Sequence, residues 1–378
     1  MPLLSRPAKP EKPPETSGTG NLIDYVVNMQ QTLLEAPFSL ADSMVLAELS
    51  YLDFQGMVPP PSLLSIPVRY SIIAARPGAL ERMVGDTPSA ENKLALARAL
   101  AESPRFAGMT LDYYVNIVDP DMEKQFSAVT IRLADHTAFI AFRGTDNTLT
   151  GWKENFNMAF LCPVPAQREC VNYLNNVAGW SRRKLRVGGH SKGGNLALYS
   201  SIFCKPEVQS RILQVFTLDS PGFKNMIYDS HRYRALEDRV FSLLPQDSKI
   251  GTLLLENERY QVIESGAEGF AQHDLFTWHF DGLEPKLVDK LSEDAIHFDA
   301  TLDNWLERMD DRRRRLVVDA FFELIDSTDA DTFGDVLGYI KSGELTSYKK
   351  LMQLEPEVRR ELINIFALLG KAYLRVRV

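Results

Sequence analysis

Apolar residues along this chain recur with two periods, and the places where the period changes divide it into regions. Near the start they fall at Leu22, Tyr25, Val26, Met29 and Leu33, the spacing of one helix face. Ser39 then reads as the N-cap of a helix through Leu52 that buries Val45, Leu46, Leu49 and Leu52. Pro59, Pro60 and Pro61 end that unit, and Thr87 followed by Pro88 predicts a further helix to Ser103. The pattern next shortens to three strands over 110–118, 125–133 and 137–143, separated by turn residues at 119–121 and 134–136. Residues 138–142 are all apolar, as expected of a strand buried on both faces.

Beyond this meander, helices and strands alternate. A helix is predicted over 168–182, a strand end at Leu185 and Val187, a helix over 195–203, and strands over 212–218, 240–244 and 261–265. That alternation predicts an α/β fold with a mostly parallel central sheet and helices on both faces. From Pro285 onward the chain reads as helical. Leu302, Trp305, Leu306 and Met309 form one stripe, and Leu316, Val317, Ala320, Phe321 and Leu324 another. The expected organisation is a disordered tail over 1–20, an α/β domain over 21–284 and a helical C-terminal extension over 285–378. No internal repeat is visible.

Composition narrows this only a little. Hydrophobic content of 45% and charged content of 24% over 378 residues are those of an ordinary globular protein. A net charge of −8 argues against a general nucleic-acid binder, which needs an excess of Lys and Arg to neutralise phosphates. The basic run at 312–315 follows Asp310 and Asp311 and reads as a solvated helix face. Cys162, Cys170 and Cys204 are too few and too irregular for a disulfide framework or a zinc cage. With no apolar leader and no run long enough to span a bilayer, a cytoplasmic setting is expected.

The candidate chemistry sits where the last buried strand of the first half meets its helix. Gly189-His190-Ser191-Lys192-Gly193 is a G-x-S-x-G pattern, the signature of a strand–turn–helix elbow that lifts a serine hydroxyl clear of the sheet. Such a nucleophile needs a histidine to take its proton and an acid to hold that histidine. Both belong at the carboxyl ends of later strands. Two aspartates compete for the acid: Asp219 after the first strand beyond the elbow, and Asp247 after the second. Strand order favours Asp247, leaving Asp219 as a turn residue before Pro221-Gly222. Among the six histidines, His273 lies in the loop after the 261–265 strand, where the base belongs, whereas His190 shapes the elbow. The oxyanion hole needs two backbone N–H groups. Lys192, first in the elbow helix, supplies one, and Thr145, after Gly144 at the end of a central strand, supplies the other. This chemistry requires neither a metal nor an organic cofactor.

Taken together, Phe142-Arg143-Gly144-Thr145-Asp146, Gly151-Trp152-Lys153-Glu154, the run from Gly189 to Ala197, Pro245-Gln246-Asp247-Ser248 and Gln272-His273-Asp274 resemble the class 3 (fungal-type) lipases. They are closer still to a bacterial α/β-hydrolase family related to those lipases. The resemblance covers about residues 39–280. It implies an α/β-hydrolase fold with Ser191, Asp247 and His273 as triad. It does not settle the substrate, for which a small-molecule acyl ester or thioester is the working expectation. A departure occurs at Lys192, where many of those lipases carry a hydrophobic residue; here a polar neighbour is expected at the mouth of the site. The rival expectations are a peptidase of the same fold, and a catalytically vestigial scaffold for protein partners.

Overall fold

The computed structural model describes residues 19–224, 227–255, 259–343 and 349–374. The expected disordered tail lies outside these except for Thr19 and Gly20, and Gly20 bridges to Phe280.

The chain opens with helices α1 (Leu22–Asn28) and α2 (Leu40–Leu49). Each begins with a capping box: Asn21 with Asp24, and Ser39 with Asp42, which satisfy otherwise unpaired first-turn amides. Asp42 does a second job. It is fully buried and receives the Arg105 guanidinium at 2.6 and 2.5 Å, while Tyr25 Oη donates to it at 2.8 Å. Arg105 Nη1 and Nη2 also bond carbonyls of Gln31, Thr32, Ala36 and Pro37, so one side chain locks the α1–α2 connection onto the body. The N-terminal end of α2 is thereby fixed.

A short edge strand β1 (Val68–Arg69) and helices α3 (Tyr70–Ala74), α4 (Ala79–Val84) and α5 (Ala90–Glu102) follow. The start of α5 differs from the Thr87–Pro88 expectation: Ser89 takes a left-handed φ of 57°, and the helix begins only after it. Strands β2 (Thr110–Asp119), β3 (Lys124–Arg132) and β4 (Ala138–Phe142) form the predicted antiparallel meander. Helices α6 (Leu149–Asn157) and α7 (Pro165–Gly179), the latter opening on Pro165, lead to β5 (Leu185–His190) and α8 (Lys192–Phe203). Then come α9 (Pro206–Gln209), β6 (Ile212–Leu218), α10 (His231–Arg234), β7 (Val240–Pro245), β8 (Tyr260–Ile263), β9 (Phe280–Asp281), β10 (Glu284–Pro285) and β11 (Leu287–Val288).

Among the described residues one nine-stranded sheet has the order β1-β2-β3-β4-β5-β6-β7-β8-β11. The pairs from β4 to β8 are parallel and those at both margins antiparallel. Apolar helix stripes cover both faces. On one face Phe38 packs on the rings of Phe139 and Phe216, in one buried cluster with Leu46, Leu49, Phe54 and Leu100; on the other, Leu174, Val177, Leu196 and Ile202 share a cluster with Ile140 and Val187. This three-layer sheet with an elbow at the end of β5 is an α/β-hydrolase fold. The sheet does not stop at residue 284, since β11 pairs with β8.

The extension is helical as predicted: α11 (Glu293–Glu307), α12 (Asp311–Ile325), α13 (Phe333–Ser342), α14 (Lys349–Gln353) and α15 (Pro356–Leu374). It is docked on α6 through an aromatic seam. Trp152 stacks on Phe333 with ring centres 3.9 Å apart, and Phe156 stacks on Phe321 at 5.3 Å. The basic run is not simply a solvated face. Arg314 donates to the Ala159 and Leu306 carbonyls, and Arg315 lies over the Phe160 ring.

Candidate active site

Strand β5 ends at His190, and the next residue takes φ 58° and ψ −135° before α8 begins. A positive φ costs a serine of the order of 1–3 kcal/mol, so the surroundings must hold it. Ser191 N donates to Leu218 O at 2.9 Å, and Gly194 N donates to Ser191 O at 3.0 Å. At Gly193 any Cβ would collide with the Phe142 carbonyl, so only glycine lets the start of α8 lie against the end of β4. That close approach brings the Arg143–Thr145 loop to the elbow. A Cβ on Gly144 would stand 3.1 Å from Ser191 Cβ and 2.8 Å from His190 O.

Asp219 leaves β6 in a second strained conformation, φ 43°. Its backbone N–H bonds Leu243 O at 2.8 Å, and its carboxyl is 1% exposed. Oδ1 accepts from Ser248 Oγ at 2.5 Å and Gly251 N at 3.0 Å; Oδ2 lies 2.6 Å from His273 Nδ1. His273 closes a 3-10 turn, Gly269–His273, and its ring centre is 4.3 Å from that of His190. The structure thus brings a buried carboxylate, an imidazole and the elbow together.

The sequence profile of the Mbeg1-like family matches residues 100–323, a span holding the elbow, both aspartates and His273. The chain belongs to the Mbeg1-like family. The chain is also similar to solved lipases. M37 lipase is 11% identical over 57% of this chain and 69% of its own, with a TM-score of 0.35. The native lipase–propeptide complex of Rhizomucor miehei is 14% identical over 59% and 67%, TM-score 0.32. Nonglycosylated LIP2 lipase of Yarrowia lipolytica is 12% identical over 67% and 85%, TM-score 0.38. No curated protein matches the chain.

In this Mbeg1-like chain the acid beside His273 is Asp219, not the expected Asp247. The reason is geometric. Sheet order is linear here, so β6 lies beside β5 and β7 one strand further out, each step roughly 4.8 Å. Asp247 is moreover fully engaged: Oδ1 accepts from Lys249 Nζ and Ser292 Oγ, each at 2.7 Å, and Oδ2 from Gly269 N at 2.9 Å. Its own N–H bonds Gln272 Oε1 at 2.8 Å. Asp247 therefore anchors the loop that carries His273 and ties it to the start of α11. Ser248, next to it, steadies Asp219.

Lys192 also differs from expectation. Its side chain is 1% exposed and turns inward, away from any mouth. Nζ donates to Glu154 Oε2 at 2.9 Å, Gln125 Oε1 at 2.6 Å and Gln125 O at 2.8 Å. Burial pulls the amine below its ordinary pKa, and Glu154 opposes that shift. Glu154 in turn accepts from Gln125 N and Ala166 N, so the first residue of α8 is tied to β3, α6 and α7. The Lys192 amide itself lies in the first helical turn, where N–H groups have no partner within the helix. Thr145 is half-buried; its Oγ1 accepts from Asn155 Nδ2 at 2.6 Å.

Several site neighbours escaped the sequence. Asn195 donates to Pro221 O at 3.1 Å and Gly222 O at 2.8 Å, clamping the Asp219 turn onto α8. Tyr51 reaches His190 from the α2 side. Only Asn195 left a signal, lying in the glycine-rich run just after the elbow. Among the described residues no group of three or more metal-ligating side chains converges, and no helix is long and apolar enough to cross a membrane.

Proposed function

We propose that this protein is a serine hydrolase acting on an ester or thioester through Ser191, His273 and Asp219. The observation that carries the reading is the 2.6 Å contact between His273 Nδ1 and a buried, doubly braced Asp219 beside a strained elbow serine. With Nδ1–H donated to Asp219, Nε2 is left with its lone pair, the tautomer a general base needs. His273 takes the Ser191 proton as Oγ attacks the acyl carbonyl, and the Lys192 and Thr145 N–H groups stabilise the oxyanion. His273 then protonates the leaving group, and water, activated by the same imidazole, releases the acyl group. The Asp219 carboxylate favours the imidazolium that forms.

Among the described residues Ser191 Oγ has no hydrogen bond to His273, a feature common in unliganded sites that tighten around substrate. It is also what a vestigial scaffold would show. A panel of aryl esters and acyl thioesters, run on wild type and Ser191→Ala, separates the two. The hydrolase reading predicts turnover by wild type, trapping of an acyl adduct on Ser191, and loss of both in the variant. Equal turnover by the two proteins would sink it. Cys162, Cys170 and Cys204 are free thiols, which supports the cytoplasmic reading.

A further inference from the structure

Tyr51 lies just beyond α2, in a layer of the fold that supplies none of the residues above. Its hydroxyl is 2.9 Å from His190 Nδ1, and the two rings are 5.9 Å apart at 55°. Lys93 Nζ lies over the ring, 5.3 Å from its centre. The same hydroxyl fills the space beside Gly144: a Cβ there would collide with it. Tyr51 is therefore wedged between the residue that precedes the nucleophile and the loop that carries Thr145.

The direction of the bond to His190 follows from charge. Burial, and the neighbouring His273, hold the His190 imidazole well below its ordinary pKa, so it is neutral. Burial likewise raises the Tyr51 phenol, which keeps its proton. The phenol O–H is then the donor and His190 Nδ1 the acceptor. The oxygen lone pairs remain for the Gly144 amide, which faces them. Removing the oxygen leaves Nδ1 without its donor and opens a gap against Gly144.

We propose that Tyr51 is a positioning residue of the oxyanion hole, holding Gly144, and with it the Thr145 amide, at its distance from Ser191. This rests on the hydrolase reading given above. The hydroxyl acts through backbone groups and need not touch substrate. Its contribution belongs to the tetrahedral state, in which the oxyanion donors are fully used, more than to ground-state binding.

The test is Tyr51→Phe, with Tyr70→Phe as control. Tyr70 also loses a buried hydroxyl bond, to Ala97 O at 2.9 Å, but on α3, away from the elbow. Wild type is first treated with a fluorophosphonate, then all three proteins are measured for kcat, KM, melting temperature and affinity for phenylboronic acid, which mimics the tetrahedral adduct on serine. Tyr51→Phe is expected to lower kcat and boronate affinity by roughly ten- to a hundredfold, the size of one buried hydrogen bond lost with its partner stranded. KM is expected to stay within about threefold, and Tyr70→Phe to move only the melting temperature. Unchanged kcat and boronate affinity in Tyr51→Phe, with wild type labelled on Ser191, would overturn the inference. So would an equal weakening of KM and boronate affinity, which marks general loosening. Failure of wild type to label overturns the hydrolase reading itself.

Discussion

Two strand ends, those of β6 and β7, present an aspartate at the same edge of the sheet, and only one faces the imidazole. Asp219 gives one oxygen to the protein frame and the other to His273. Asp247 gives both oxygens to the frame. The difference is not in the residue type or its place at the end of a strand. It lies in which neighbours reach each carboxylate first: an ammonium, a serine and a loop amide at β7, and an imidazole at β6. Only Asp219 keeps an oxygen free of the frame for the imidazole.

The sharpest way to break the comparison is to neutralise each acid. Asp219→Asn keeps the shape but cannot support an imidazolium, and the amide favours the wrong His273 tautomer. Turnover of an aryl ester should fall by about 10⁴-fold with circular dichroism unchanged. A loss under tenfold would remove Asp219 from its role.

The next largest effect concerns the brace behind the elbow. Lys192→Met strands Glu154 as a buried unpaired carboxylate, which should cost about 3–5 kcal/mol in urea unfolding. Lys192→Met with Glu154→Gln should regain part of that loss. A single variant as stable as wild type would show that the pair is not what holds α8 to α6.

Glu48 offers a fourth carboxylate, buried with little support. Burial raises its pKa to about 7, against a partly opposing Lys93. The sign follows from proton binding: the folded state holds this proton more tightly than the unfolded chain, so stability falls as pH rises from the unfolded value near 4.5 through about 7. Glu48→Gln should therefore raise stability at pH 8 by of the order of 2–3 kcal/mol, with the gain vanishing below pH 4.5. Thermal melts at the two pH values check this; a pH-independent gain would contradict the buried-charge account.

The smallest effect should come from Asp247→Asn. It weakens the links to Lys249, Gly269 and Ser292, costing about 1–3 kcal/mol of stability. Turnover should stay within about tenfold of wild type, because His273 keeps its partner. Parallel thermal melts and ester assays measure both.

Much of the fold was legible because its signals are local. The meander at 110–142, the elbow and the strand at 212–218 each follow from periodicity or glycine spacing within a few residues. Ser191, His273 and the Gly144–Thr145 loop, the residues proposed above, could be singled out for the same reason. Which aspartate meets His273 was not legible, because the choice between Asp219 and Asp247 depends on partners such as Ser248 and Lys249 arriving from another loop. Lys192 was misread because its partners Gln125 and Glu154 lie 67 and 38 positions away in the chain. Tyr51 belongs to a helix layer that the elbow pattern does not mention. The start of α5 shifted because Ser89 takes a left-handed turn that the Thr87–Pro88 pair does not reveal.

The most direct measurement is the rate of fluorophosphonate labelling, with the modified residue located by mass spectrometry, in wild type, Asp219→Asn and Asp247→Asn. The account predicts rapid labelling on Ser191 in wild type, near-wild-type labelling in Asp247→Asn and severe slowing in Asp219→Asn. Fast labelling of Asp219→Asn alongside loss in Asp247→Asn would contradict it.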